Sequence, residues 1–168
     1  CSSDLRAGSV GKAAAFSLYP SKNLGAFGDG GMVITSDPFV AKKLRSLRNY
    51  GAPRKYFHAD LGKNSRLDTL QSAVLNVKLP HLEGWNQQRN LAARHYDKLL
   101  QKLVSQGIFP LQNQSGAGHI YHLYVIRIDE SICHLNRDQI IGKLAKKGIQ
   151  TGIHYPIPCH LQPAYQSL

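Results

Sequence analysis

Acidic side chains are scarce in this chain: 10 Asp and Glu stand against 21 Lys and Arg, for a net charge of +11. That excess admits an anionic partner, whether nucleic acid or an anionic small molecule. Cysteine is also scarce. Cys1, Cys133 and Cys159 are too few and too scattered for a disulfide framework, which points to a reduced, cytoplasmic setting. Long hydrophobic runs are missing, so no segment has membrane-spanning length, and no signal peptide opens the sequence. No C-x-x-C or H-x-x-x-H spacing supports a metal site, and a zinc centre built from His154, Cys159 and His160 is set aside. No DNA- or RNA-binding motif is found, nor any internal repeat or low-complexity tract. What is present is a globular composition, 42% hydrophobic and 18% charged, long enough at 168 residues to bury a core.

The chain is organised around residues 13–37, AAAFSLYPSKNLGAFGDGGMVITSD. Ala13 to Phe16 reads as a buried strand, Tyr19-Pro20 breaks it, and Met32 to Thr35 reads as a second strand. Between them a loop holds Lys22 among Gly25, Gly28, Gly30 and Gly31. A lysine between two buried strands is expected in low dielectric, where its neutral amine is favoured. Imine formation with an aldehyde needs that neutral amine.

The segment FSLYPSKNLGAFGDGG resembles the pyridoxal-phosphate sugar aminotransferases of the DegT/DnrJ/EryC1/StrS family, enzymes of fold type I. The resemblance implies that Lys22 forms the imine with the cofactor aldehyde and that Ser17 binds the cofactor phosphate. A second match is the segment Gly62 to Gln71 (GKNSRLDTLQ), in which Asn64 would reach the cofactor phosphate of a partner subunit. Arg66 would anchor the loop or an anionic substrate. Lys63 stands where the family usually carries an aromatic residue. The tail segment GIHYPIPCHLQPAY also matches, and implies substrate contacts for His154 and Tyr155, with His122 the weaker candidate. The acidic residue that pairs with the pyridine nitrogen in the family has no match. Asp4 is nearest, but its position does not fit.

Other local signals complete the reading. Asp37-Pro38 starts a helix whose apolar stripe is Val40, Leu44 and Leu47. Ser65 and Asp68 form a capping-box pattern before Leu67, Leu70, Val74 and Val77 at helical spacing. Pro80 breaks that run, and a long helix is expected over residues 81–106, apolar along Leu82, Trp85, Ala92, Tyr96, Leu99 and Leu103, with Gly107 as its stop. Beyond it come an expected strand over residues 120–128, a helix capped by Asn136 with Gln139, and a strand over residues 149–154. Cys133 reads as inert packing. A boundary near residue 80 divides a remnant of the large cofactor-binding domain (1–80) from a small α+β domain (81–168).

The expected architecture is thus α/β: the end of a large-domain sheet, a linking helix and a small domain, from a family chain truncated at both ends. The function implied is transamination of a nucleotide-linked keto-sugar to an amino-sugar, with glutamate as donor, in a homodimer. On this reading the chain lacks much of its pocket, and weak or absent cofactor binding is expected of it alone. Two alternatives stay open: a catalytically silent, self-associating relative, and a basic nucleic-acid-binding module. The basic stretch from Lys42 to Arg66, with Asp60 its only acid, would serve the second.

Overall fold

The structure, a computed structural model, describes residues 6–166; Asp4 and Cys1 lie outside that range. The described residues group into two compact units. The first runs through Lys98 and takes in Gln112–Tyr124, while the second comprises Leu99–Leu111 and the chain from Val125 onward.

In the first unit, β1 (Ala14–Ser17) pairs antiparallel with β2 (Gly31–Ile34), Ser17 opposite Gly31 and Ala14 opposite Ile34. Both expected strands form, but they are not buried. β1 alternates between half-buried and exposed, and β2 is exposed throughout, with Met32 49% accessible. The cause is topological: this sheet has two strands, and no third strand lies against either edge among the described residues.

α1 (Pro38–Leu47) begins as expected. The Asp37 carboxylate accepts from the amides of Phe39 and Val40, and Pro38 occupies the first turn, where no amide is required. Val40, Leu44 and Leu47 are half-buried, and the lysines and arginines between them face solvent.

α2 (Thr69–Lys78) departs from expectation in two ways. The capping box does not form: the helix starts at Thr69 with Asp68, not Ser65, as its N-cap, the Asp68 side chain makes no capping bond, and Ser65 lies back in the loop, where its amide donates to Arg48. The buried face is also different. Leu70 and Val77 are 69% and 71% accessible, whereas Leu75 packs with Leu18 and Ala26 in the small core, and Leu24 closes over it. Pro80 falls in a single 3-10 turn, Leu79–His81, between α2 and α3 (Leu82–Leu100).

α3 ends in a 3-10 extension, Gln101–Gln106, and Gly107 stops it in the left-handed conformation, φ 83°. The buried positions of α3 are Asn86 and Ala93, while Trp85, Ala92, Tyr96 and Leu99 of the expected apolar side remain exposed. Among the described residues no helix is long and apolar enough to cross a membrane.

In the second unit β3 (Ile108–Pro110) pairs antiparallel with β4 (Ile126–Ile128). The strand expected over 120–128 therefore shrinks to its last three residues. The carbonyls of His119, Tyr121 and His122 are taken by the side chains of Asn90 and Arg89 of α3, within the first unit, so they are not offered to a ladder. A short α4 (Glu130–Cys133) precedes α5 (Arg137–Ala145). The capping box of α5 forms fully, with Asn136 and Gln139 exchanging side-chain-to-backbone bonds. No strand forms over 149–154. Gly148 turns left-handed and the Ile149 amide donates back to Leu144, so the chain continues as an extended, proline-rich tail.

Candidate active site

The turn carrying Lys22 is built by short-range bonds. Ser17 Oγ accepts the amide of Tyr19 at 3.3 Å, and the carbonyl of Tyr19 accepts the amide of Lys22 at 2.8 Å. Leu18 then pairs twice across the loop, donating its amide to Gly30 and accepting that of Ala26, both at 2.8 Å. This closes residues 18–30 into a compact loop over Ala26, which is fully buried. Gly25 is required by close approach: a Cβ there would overlap the carbonyl of Pro20 and lie 2.8 Å from that of Tyr19.

Lys22 is half-buried. The expectation that buried strands enclose it is corrected, since the strands on either side are largely open. Its side-chain amine has no hydrogen-bond or ion-pair partner among the described residues. Ser17 is exposed, and its hydroxyl, having accepted one bond, still has its proton to donate. An amine and a hydroxyl able to donate, five positions apart in the sequence of one turn, are the residue types that an aldehyde- and phosphate-bearing group calls for. Asn23, next to Lys22, donates to Asn86 Oδ1 at 3.3 Å, while its own Oδ1 is buried without a hydrogen-bond partner among the described residues.

Asn64 and Arg66 lie in the loop that returns to α1. Asn49 and Asn64 form an isolated antiparallel bridge, flanked by the amide of Tyr50 donating to Lys63 and that of Ser65 donating to Arg48. The Asn64 side chain is exposed and makes no hydrogen bond among the described residues. Arg66 donates to Asn49 Oδ1 at 3.0 Å and lies 5.5 Å over the ring of Tyr50, so it fastens this loop to the end of α1. Asp60 receives bonds from Lys43 and from Ser46, the latter at 3.0 Å. Those bonds, the one from Lys43 foremost, hold its carboxyl below the ordinary value.

His154 and Tyr155 belong to the second unit, where both are exposed and their rings meet edge to face at 5.5 Å. His122 lies in the first unit, at a small cavity of about 130 Å³ shared with Arg89, Tyr96, Tyr121 and Tyr124. There Tyr124 donates to Asp97 at 2.7 Å, and burial, aided by that bond, pushes its phenol well above the ordinary value. Among the described residues no three His, Cys, Asp or Glu side chains converge as a metal site would require.

Three residues that hold the Lys22 loop were not singled out by sequence. Gln71 accepts the amide of Phe27 at 2.8 Å, Lys78 donates to the carbonyl of Gly25 at 2.7 Å, and Asn86 holds Asn23. Gln71 lies in a recognised segment, but nothing in a linear reading pairs it with a backbone amide 44 residues away.

The family model described as the DegT/DnrJ/EryC1/StrS aminotransferase family matches residues 2–168. The erythromycin biosynthesis sensory transduction protein EryC1 of Saccharopolyspora erythraea is 48% identical over 163 residues, covering 97% of this chain and 42% of that protein. The dTDP-3-amino-3,4,6-trideoxy-alpha-D-glucose transaminase of Streptomyces venezuelae is 45% identical over 160 residues, covering 95% and 40%. Among solved structures, ntda from Bacillus subtilis with bound cofactor PMP superposes with a TM-score of 0.84 at 28% identity, covering 96% of this chain and 37% of that one. The chain spans about two fifths of the length of the curated relatives it matches. The architecture is accordingly part of the α/β fold type I arrangement. This chain belongs to the DegT/DnrJ/EryC1/StrS aminotransferase family.

Proposed function

We propose that the protein serves pyridoxal-phosphate-dependent transamination of a nucleotide-linked keto-sugar to an amino-sugar, with Lys22 as its catalytic lysine. The observation that carries this is the Lys22 amine, unpartnered among the described residues, in a turn whose backbone is bonded at both ends, with the Ser17 hydroxyl at its start. Bound pyridoxal phosphate supplies the aldehyde that receives the amino group and a ring that delocalises electrons while a proton moves. Lys22 Nζ would hold that aldehyde between turnovers and, once the donor's amino group has displaced it, the freed amine would take the proton from the donor α-carbon and deliver it to the cofactor carbon that bore the aldehyde. The Ser17 hydroxyl donates to the phosphate, and the exposed Asn64 amide reaches the phosphate of a second subunit in a homodimer. Arg66 contacts the anionic sugar nucleotide.

The donor is glutamate and the setting cytoplasmic. The nucleotide-sugar class draws support from the Streptomyces venezuelae relative, and the cofactor from the PMP-bound neighbour. With few phosphate contacts of its own, this span binds the cofactor weakly. An absorbance titration with pyridoxal phosphate tests the reading. A weak band that Lys22→Ala removes is expected, and the same band in Lys22→Ala would overturn the role given to Lys22. A strong band that Lys22→Ala removes would instead overturn the weakness.

A further inference from the structure

We infer that Gln71 and Lys78, two residues of α2, are positioning residues for Lys22. The inference rests on the role proposed for Lys22 above. Both lie on the face of α2 that carries Leu75, at positions i, i+4 and i+7, one above another on the same side of the helix. Leu75 enters the core with Leu18 and Ala26, which brings the two polar ends against the second half of the Lys22 loop. Gln71 Oε1 accepts the Phe27 amide at 2.8 Å, and Lys78 Nζ donates to the Gly25 carbonyl at 2.7 Å. The Lys78 ammonium also lies 5.0 Å from the centre of the Phe27 ring. Gly28 permits the approach, because a Cβ there would stand 3.0 Å from Gln71 Nε2.

Lys78 is only half-buried, so its head group could have stayed in water as most lysines do. It instead gives up rotamer freedom to hold one carbonyl and cover one ring. The residues held are Gly25 and Phe27, three and five positions after Lys22. On the other side, Asn86, 7% accessible, accepts from Asn23. A loop fastened immediately after its reactive amine presents that amine in one direction, and a fixed direction is what a covalent step at an aldehyde requires.

The test uses this chain without cofactor. Its lysines are reductively methylated with ¹³C-formaldehyde, and the Lys22 methyl resonance is assigned with Lys22→Arg. In the wild type this resonance should stand apart from those of exposed lysines such as Lys42 and Lys55. In Gln71→Leu and Lys78→Met it should move to their position, and exchange of the Phe27 amide should quicken by about tenfold or more. Gln71→Glu, which keeps an acceptor, and Lys78→Arg, which keeps a donor, should restore the wild-type resonance. Faster exchange at Phe27 with an unmoved Lys22 resonance would overturn the inference and leave the proposed role of Lys22 standing. A wild-type Lys22 resonance already coincident with the exposed lysines would count against that role itself, and the inference would fall with it. Should a leucine or methionine variant unfold by circular dichroism, Gln71→Asn, whose shorter side chain withdraws the acceptor, gives the same comparison.

Discussion

Gly25 and Pro20 are packed so closely that a methyl group on Gly25 would overlap the Pro20 carbonyl, and this contact shapes the turn that carries Lys22. The obstruction is backbone, which cannot swing aside as a side chain can. Gly25→Ala is therefore expected to cost about 1–3 kcal/mol, the range for forcing extra volume into a packed site. Urea denaturation measures it. Gly142→Ala is the control: a Cβ there meets nothing within 4 Å, and in a helix interior alanine should be neutral or stabilising.

Leu75 and Leu70 lie in the same helix, and although spacing puts Leu70 on the apolar stripe, it is Leu75 that is buried. Leu75→Ala should destabilise the chain by about 2–5 kcal/mol through lost burial and the cavity left beside Leu18 and Ala26. Leu70→Ala should change stability by less than about 0.5 kcal/mol. Thermal unfolding of the two variants side by side decides between the helix face seen here and the one expected from spacing. Equal losses would contradict the structure.

Asp60 gives the loop from Tyr50 to Arg66 an acid-sensitive fastening. Its folded carboxyl is held below the ordinary value of 3.8 by Lys43 and then Ser46. A lowered folded value contributes stability that is fully present above the unfolded value and is lost as pH falls through the folded one. Stability measured from about pH 5 down to about pH 2 should therefore fall more steeply in the wild type than in Asp60→Asn. Parallel curves would contradict the assignment.

Tyr124 acts at the opposite end of the scale. Burial and its bond to Asp97 raise the phenol above its ordinary 10.0, so its contribution is complete below that value and fades as pH rises towards the folded one. Tyr124→Phe should lose about 0.5–1.5 kcal/mol at neutral pH, the worth of one hydrogen bond. That deficit should shrink in chemical denaturation above pH 10.0. A deficit constant with pH would assign the loss to packing alone.

Much of this molecule is legible where the signal is local. Asp37-Pro38, Asn136 with Gln139, and Gly107 each bond within a few residues of themselves, so sequence places them correctly. The turn around Lys22 is legible for the same reason, since its bonds join Ser17, Leu18 and Tyr19 to residues no farther than Gly30. The burial of α2 and α3 was not legible. Periodicity finds apolar stripes, yet Leu70, Val77 and Tyr96 lie open, while a glutamine, a lysine and an asparagine face the core loop. The strands over 120–128 and 149–154 failed because side chains of α3 claim the carbonyls of the first and a glycine turn leads into the second.

The most direct measurement is to incubate the chain with pyridoxal phosphate, reduce with borohydride and map the modified lysines by mass spectrometry, which registers even weak attachment. Lys22 should be labelled in preference to exposed lysines such as Lys42, Lys55 and Lys146. Labelling spread evenly over those lysines, with Lys22 no more reactive than they are, would contradict it.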